Sequence, residues 1–367
     1  MKIFVEKEKF ENELRLFQGI FEKKAIMEIL QNIKLTAVEG GVLEMVATDL
    51  EIGLTSSIQV DIKKTGAFTV NGKDLYDLIS KMPEGIVEIS EDNDLQIIIT
   101  NEKKTCKYKM LGLQSSDYPE LPVSDFSQAL KISLTDFQIL INNCHYVISP
   151  ELKFNLGGAL LSISENKLEM AATDGHRLSY TFFDADFTIS DPVEYILSRK
   201  TLLEIIKIGT EGEIEFAFDK NNLFFKHKNR VLCSRIVDQK FPNYKTVIPE
   251  KTEQTAMVDS AELLQTLRRI LIFKTRNNGV LFKFSKNKLA LERTTPEKGE
   301  GYDEIPISYQ GKAVNVGFNG NFVLDFLTHI NCEKITIGLN DSESSFLFKP
   351  EENGRAHFIY IIMPLNI

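Results

Sequence analysis

Alternation of apolar and polar residues runs through much of this chain. The stretches GIVEIS (85–90), LQIIIT (95–100), GEIEFAF (212–218) and LFFKHK (223–228) put every second side chain on one apolar face, which predicts half-buried β-strands. Elsewhere the period lengthens to that of a helix. Phe10, Leu14, Phe17 and Phe21 share one face; so do Phe137, Leu140, Ile141, Cys144 and Ile148, and again Leu263, Leu264, Leu267, Ile270 and Leu271. Thr135 or Asp136 is expected to cap the second of these helices, and Asp259 or Ser260 the third.

The pattern repeats. LEMVATDLEIGL (43–54) is echoed by LEMAATDGHRLS (168–179) and more faintly by LALERTTPEKGE (289–300). Downstream, FTVNGKDLYDLISKM (68–82), YILSRKTLLEIIKIG (195–209) and VNVGFNGNFVLDFLTHI (314–330) each read as a strand, a polar break and an amphipathic helix. An aromatic residue or Met precedes proline near the end of each copy, at Tyr118-Pro119, Phe241-Pro242 and Met363-Pro364. Three tandem domains follow, at 1–122, 123–249 and 250–367, each with two helices packed on roughly eight short strands in an α+β arrangement. Three copies in a row leave two unlike ends, and a head-to-tail dimer would close them into a ring.

Composition narrows the class. The chain has 367 residues, 43% hydrophobic and 26% charged, with no apolar run long enough to span a bilayer. Its N-terminus is charged from the second residue, unlike a signal peptide, so a cytoplasmic location is expected. Cys106, Cys144, Cys233 and Cys332 are scattered, and the five histidines show no metal-ligand spacing, so neither a disulfide framework nor a metal or cofactor is expected. A net charge of −9 argues against a surface coated by nucleic acid and leaves room for a local basic face.

ATDGHRLS (172–179) gathers Asp174, His176, Arg177 and Ser179, which raises the reading of a hydrolase using Asp174 and His176. No GxSxG elbow accompanies it. Asp174 has a counterpart in Asp49, whereas the place of His176 is taken by Glu51 in the first copy. The shared Thr-Asp pair therefore reads as a turn whose side chains bond local backbone, and Gly175 to Leu178 as the local variation.

In their order and spacing, ATDGHRLS, FPNYKTVIP (241–249), GFNGNFVLDFL (317–327) and the terminal YIIMPLNI (360–367) resemble the bacterial DNA sliding clamps, the beta subunits of DNA polymerase III holoenzymes. The resemblance covers the whole chain. It implies a non-catalytic processivity factor: a homodimeric ring of six domains around duplex DNA, without sequence preference, that tethers the replicative polymerase. It further implies that a clamp loader, other polymerases and repair proteins would bind through short linear motifs.

By the same resemblance, a partner-peptide groove would comprise Leu156, Thr173, Gly175, His176, Arg177, Leu178, Pro242, Val247, Ser345, Ile361, Ile362, Met363, Pro364 and Leu365. Lys24, Lys73, Arg199, Lys200, Arg268, Arg269 and Lys274 would face DNA, and Tyr108 and Met110 would meet Leu271 and Ile272 of a second chain. Those four are also readable as core of their own chain. Two positions depart from the family pattern: Lys24 stands where arginine is common, and Asn366 removes a positive charge from the C-terminal segment. The helix LTDFQILINNCHYVI (134–148) carries no Lys or Arg, so its share in any DNA contact is expected to be weak.

Overall fold

The computed structural model describes residues 1–21, 27–92, 95–149, 157–187, 189, 191–273, 277–295, 299–352 and 354–366. The first repeat contains β1 (Lys2–Glu6), α1 (Lys7–Phe17), β2 (Asn32–Val38), β3 (Val42–Thr48), β4 (Ile52–Gln59), β5 (Asp61–Lys64), β6 (Gly66–Asn71), α2 (Gly72–Lys81), β7 (Ile86–Glu91), β8 (Gln96–Asn101) and β9 (Lys107–Leu113). The second contains β10 (Leu130–Ser133), α3 (Leu134–Cys144), β11 (Gly158–Ser164), β12 (Lys167–Thr173), β13 (Arg177–Asp184), β14 (Val193–Ser198), α4 (Arg199–Lys207), β15 (Glu213–Phe218), β16 (Asn222–His227) and β17 (Arg230–Arg235). The third contains β18 (Gln254–Asp259), α5 (Ser260–Ile270), β19 (Gly279–Ser285), β20 (Lys288–Thr295), β21 (Gly299–Pro306), β22 (Val314–Asn319), α6 (Gly320–His329), β23 (Lys334–Leu339), β24 (Phe346–Pro350) and β25 (His357–Ile362). The described residues thus hold three tandem α+β domains with two helices apiece.

Alternation produces the strands as the sequence predicts. In β3, Leu43, Met45 and Ala47 are buried while Glu44 is exposed. The helices bury one stripe, Leu75 and Ile79 in α2 and Leu263, Leu267 and Ile270 in α5. Asp259 caps α5, its carboxylate accepting from the Glu262 N–H at 2.8 Å. Asn71 and Asn319 cap α2 and α6 in the same way, at 3.0 and 3.1 Å.

Two expectations at helix ends change. Helix α3 begins at Leu134, whose N–H donates to the Gly212 carbonyl at 2.9 Å, so Thr135 and Asp136 lie inside its first turn rather than at the N-cap position. Phe21 lies beyond the end of α1. No helix among the described residues is long and apolar enough to cross a membrane.

By packing, the chain divides into two compact units that split the middle repeat. Residues 1–135 and 200–236 form one, built on a sheet of order β10-β15-β16-β17-β4-β3-β2-β6-β9-β8-β7-β1-β5, with α1 against α2. Residues 136–199 and 237–367 form the other, with sheets β14-β11-β12-β13-β25-β24-β23-β18 and β21-β20-β19-β22, and α5 against α6. In each unit a strand late in one repeat pairs antiparallel with a strand of the preceding repeat, β17 with β4 and β25 with β13. The repeats are therefore joined by sheet hydrogen bonds as well as by connectors.

A buried ion pair reinforces the first of these joins. Glu13 of α1 takes both Nε and Nη2 of Arg230 on β17 at 2.8 Å, and also accepts from the Ser56 hydroxyl. Replacing Arg230 by Ala would strand that carboxylate where little water reaches it. A loss of about 3 kcal/mol is expected, read as a lower urea midpoint for the unit holding β17 and β4.

Candidate functional site

The loop between β12 and β13 is a closed hydrogen-bonded turn. Thr173 Oγ1 donates to the Arg177 carbonyl at 2.7 Å and accepts the Gly175 N–H at 3.1 Å. Asp174 Oδ1 accepts the N–H groups of His176 and Arg177 at 3.0 and 3.1 Å. Gly175 has φ +86°, in the left-handed region where a side chain is disfavoured, so the turn needs glycine there or must bear strain.

The same bonds occur in the first repeat. Thr48 Oγ1 donates to the Ile52 carbonyl and accepts the Leu50 N–H, both at 2.9 Å, while Asp49 Oδ1 accepts from Glu51 at 2.9 Å and Ile52 at 2.7 Å. The Thr-Asp pair is a scaffold in both copies.

This geometry has no place for hydrolysis. Asp174 spends one oxygen on its own turn and the other on the Arg177 Nε at 2.9 Å. The His176 ring is exposed, and Ser179 is fully buried with its hydroxyl donating to the Asn143 carbonyl at 2.5 Å. Burial also pushes the nearby Cys144 thiol up to about 12, so it stays a thiol.

Beside the turn lies an open cavity of about 200 Å³, lined by Thr173, Gly175, Arg177, Leu178, Pro242, Asn243, Tyr244, Val247, Ile361 and Met363. Three segments meet there: the turn with the start of β13, the connector after β17, and the C-terminal segment. Strand register sets the floor. Leu178 sits opposite Ile361, so both side chains leave the sheet on one face, whereas Ile362 is fully buried and does not line the cavity. The Met363 N–H continues the ladder to the His176 carbonyl at 2.9 Å, which holds the half-exposed Met363 side chain at the rim.

Of the fourteen groove candidates, eight line this cavity: Thr173, Gly175, Arg177, Leu178, Pro242, Val247, Ile361 and Met363. His176, Ser345, Pro364 and Leu365 do not. The Ser345 hydroxyl donates to the Val247 carbonyl at 3.3 Å, and the Leu365 N–H to the Gly317 carbonyl at 2.8 Å, so both tie neighbouring segments in place. Leu156 lies outside the described residues. Sequence reasoning missed Asn243 and Tyr244, although both sit in the FPNYKTVIP stretch. An aromatic residue just after the connector proline was the available signal, since Tyr244 packs with Leu178, Tyr180 and Ile361.

Arg177 is the charged element at this cavity, and nine-tenths of it is buried. Its guanidinium donates to Asp174 at 2.9 Å, Asp325 of α6 at 2.7 Å, the Tyr360 hydroxyl at 3.1 Å and the Tyr146 carbonyl at 3.1 Å, and lies 4.3 Å over the Phe322 ring. Burial alone would lower its pKa, but Tyr360, Asp325 and Asp174 outweigh that and raise it. The permanent charge is thus compensated inside the wall, and the open face of the cavity is apolar.

The basic candidates divide by environment. Lys73 on α2, Arg199 at the start of α4 and Arg268 on α5 are exposed. Lys200 is held by Asp49 at 2.5 Å and the Ile20 carbonyl at 3.0 Å, and Arg269 by Asp303 at 2.6 Å, so these two are committed to their own chain. Lys24 and Lys274 lie outside the described residues. His145, just past the end of α3, falls to about pKa 4 through burial, His329 and Arg199, so it adds no positive charge there near neutral pH.

The four closure candidates also differ. Tyr108 is 44% exposed and Ile272 is 72% exposed, while Met110 is half-buried and Leu271 reaches across to the α6 N-terminus at Gly320. Leu111, 79% exposed on β9, and Tyr302, 58% exposed on β21, are further apolar positions that the sequence reading passed over.

Family comparisons agree with this arrangement of repeats. Models of the DNA polymerase III beta subunit match in order: the N-terminal domain over residues 1–122, the central domain over 131–243 and the C-terminal domain over 245–366. The beta sliding clamps of Pseudomonas putida KT2440 and Vibrio cholerae are each 26% identical to this chain, with both sequences covered in full. Among solved structures, the DNA polymerase III subunit beta of Pseudomonas aeruginosa has a TM-score of 0.91 at 26% identity, and a sliding clamp from Bartonella birtlesii bound to griselimycin has 0.93 at 25%, each covering 100% of both chains. With its three domains matched in sequence order and its relatives aligned from end to end, the chain belongs to the DNA polymerase III beta subunit family, the beta sliding clamps.

Proposed function

We propose that two of these chains close head to tail into a cytoplasmic ring of six domains, bounded in each chain at 1–122, 123–249 and 250–367. Duplex DNA passes through the ring, and the cavity beside Leu178 and Ile361 receives short peptide segments of the polymerase, the clamp loader and other DNA-processing proteins. The sliding clamp is a non-catalytic processivity factor, so its cavity serves binding. The observation that carries the peptide reading is an open apolar cavity built by three separate segments, with its one charged wall residue internally compensated. Such a site offers pockets for aliphatic or aromatic anchors and backbone groups to fix their register.

Exposed Lys73, Arg199 and Arg268 supply phosphate contacts without base readout, while a net charge of −9 disfavours DNA elsewhere on the surface. Few contacts suit a topological tether, because a threaded ring stays on DNA without tight binding. For closure, exposed Tyr108 and Leu111 on one unit and Ile272 and Tyr302 on the other supply apolar surface at unlike places in the chain, as a head-to-tail contact requires.

Three outcomes are expected. Loaded protein should remain on nicked circular DNA and run off once the circle is linearised; equal retention on both forms would exclude the ring. Truncation before Met363 should weaken a polymerase-derived peptide at least about tenfold in fluorescence anisotropy while the chain still sediments as a dimer. Ile272→Asp should sediment as a monomer at micromolar concentration, since closure would bury an unpaired carboxylate, and a persistent dimer would place the interface elsewhere.

A further inference from the structure

The second and third repeats meet at a cluster of rings outside the cavity lining. His145, just past the end of α3, packs at a T-shaped angle on His329, the last residue of α6, with ring centroids 5.5 Å apart and planes at 77°. Tyr146 stacks on the same His329 ring at 4.0 Å and lies 6.1 Å from Tyr360 of β25.

The two imidazoles are held differently. His329 Nδ1 lies 2.8 Å from the Asp325 carbonyl, and since a carbonyl only accepts, Nδ1 carries the proton. His145 has no such tie: its Nδ1 is buried without a hydrogen-bond partner, as is the Tyr146 hydroxyl. Among the described residues, the charged and titratable groups around His145 and Tyr146 are Arg199 at the start of α4, whose Nε donates to the His145 carbonyl at 3.4 Å, His329 and Asp325 of α6, Cys144 of α3, Tyr360 of β25 and Arg177 of β13. Asp325 and, behind it, Asp174 are both spent on Arg177, at 2.7 and 2.9 Å. A proton on His145 would therefore put a positive charge beside His329 and Arg199 with both nearby carboxylates already taken. Both rings lie at helix C-terminal ends, where the dipole favours a cation, yet burial and the two basic neighbours outweigh it and hold His145 at about pKa 4.

We infer that this contact is an acid-sensitive latch between the second and third repeats: it is closed while His145 is neutral, opens when that ring takes a proton, and acts on the cavity wall through Tyr146, whose carbonyl accepts from Arg177 at 3.1 Å. Once the contact opens, His145 meets water and takes its proton at the ordinary value of about 6.5. Opened protein thus binds the proton more tightly than closed protein. The closed form has its full advantage above about pH 6.5 and loses it as pH falls toward 4. The latch does not depend on what the cavity binds.

Hydrogen exchange on the full-length protein reads the latch through amides at the two helix ends. The His145 N–H donates to the Ile141 carbonyl at 2.8 Å, and the Ile330 N–H to the Phe326 carbonyl at 3.2 Å. Between about pH 7.5 and about pH 5 their protection, corrected for intrinsic exchange, should fall at least about fivefold, with about 25-fold as the limit set by the two pKa values of His145. The Met363 amide, bonded to the His176 carbonyl at the cavity rim, should follow them. His145→Phe keeps a ring and cannot titrate, so its fall should stay under about twofold. A fall under about twofold in the native sequence, a fall that persists in His145→Phe, or a Met363 amide that does not follow the helix ends would overturn the inference. If His145→Phe folds poorly, selective labelling of the histidines in the native sequence decides the matter. His145 titrating below about pH 5 supports the latch, and a midpoint near the ordinary value of about 6.5 overturns it.

Discussion

The cavity in the second unit depends on one interaction, the antiparallel pairing of β25 with β13. This ladder brings the end of the chain beside a strand from the preceding repeat. Because residues opposite each other share a face, the register that pairs Leu178 with Ile361 makes both of them floor and turns Ile362 into core. A slip of one residue would exchange the two faces and abolish the cavity. The last rung, Met363 to His176, then sets where the C-terminal segment leaves the sheet.

A turn and a buried guanidinium complete the wall. The Thr-Asp turn is the same in two repeats and fixes backbone only, which explains how it persists while its tip changes from Leu-Glu to Gly-His. Arg177 carries more risk. A charge nine-tenths buried is tolerable only because two carboxylates, a phenol and a carbonyl receive it, and those partners come from the turn, α6, β25 and the segment just past α3. The polar network thereby fastens the turn to the helices behind it and leaves aliphatic groups and Met363 to line the cavity.

Copies of one framework diverge in what covers the end of the turn. Where the turn ends in Gly53 the connector's Leu121 packs directly over it, whereas where it ends in Leu178 the connector's Tyr244 packs along that side chain and lines the cavity. The basic residues show similar sorting. Lys200 lies at the start of a helix, as Lys73 does, yet it neutralises Asp49, whose counterpart Asp174 is neutralised by Arg177. A residue's position in the repeat thus leaves open whether its charge serves the fold or a ligand.

Much was legible in the chain itself. Periodicity of two and of 3.6 determined the strands and helices, and the recurrence of ATD and of aromatic-proline pairs determined three α+β domains, because each repeat must bury the same faces. The motif order also pointed to the sliding clamps and to most of the cavity-lining residues. What the sequence could not decide was set by contacts distant along the chain. Only strand register separates Ile361 from Ile362, only an ion pair withdraws Lys200 and Arg269, and only close packing puts Leu121 over Gly53. Local pattern fixes which face of an element is apolar, whereas the neighbour that covers that face, or leaves it open for a partner, is chosen by tertiary structure.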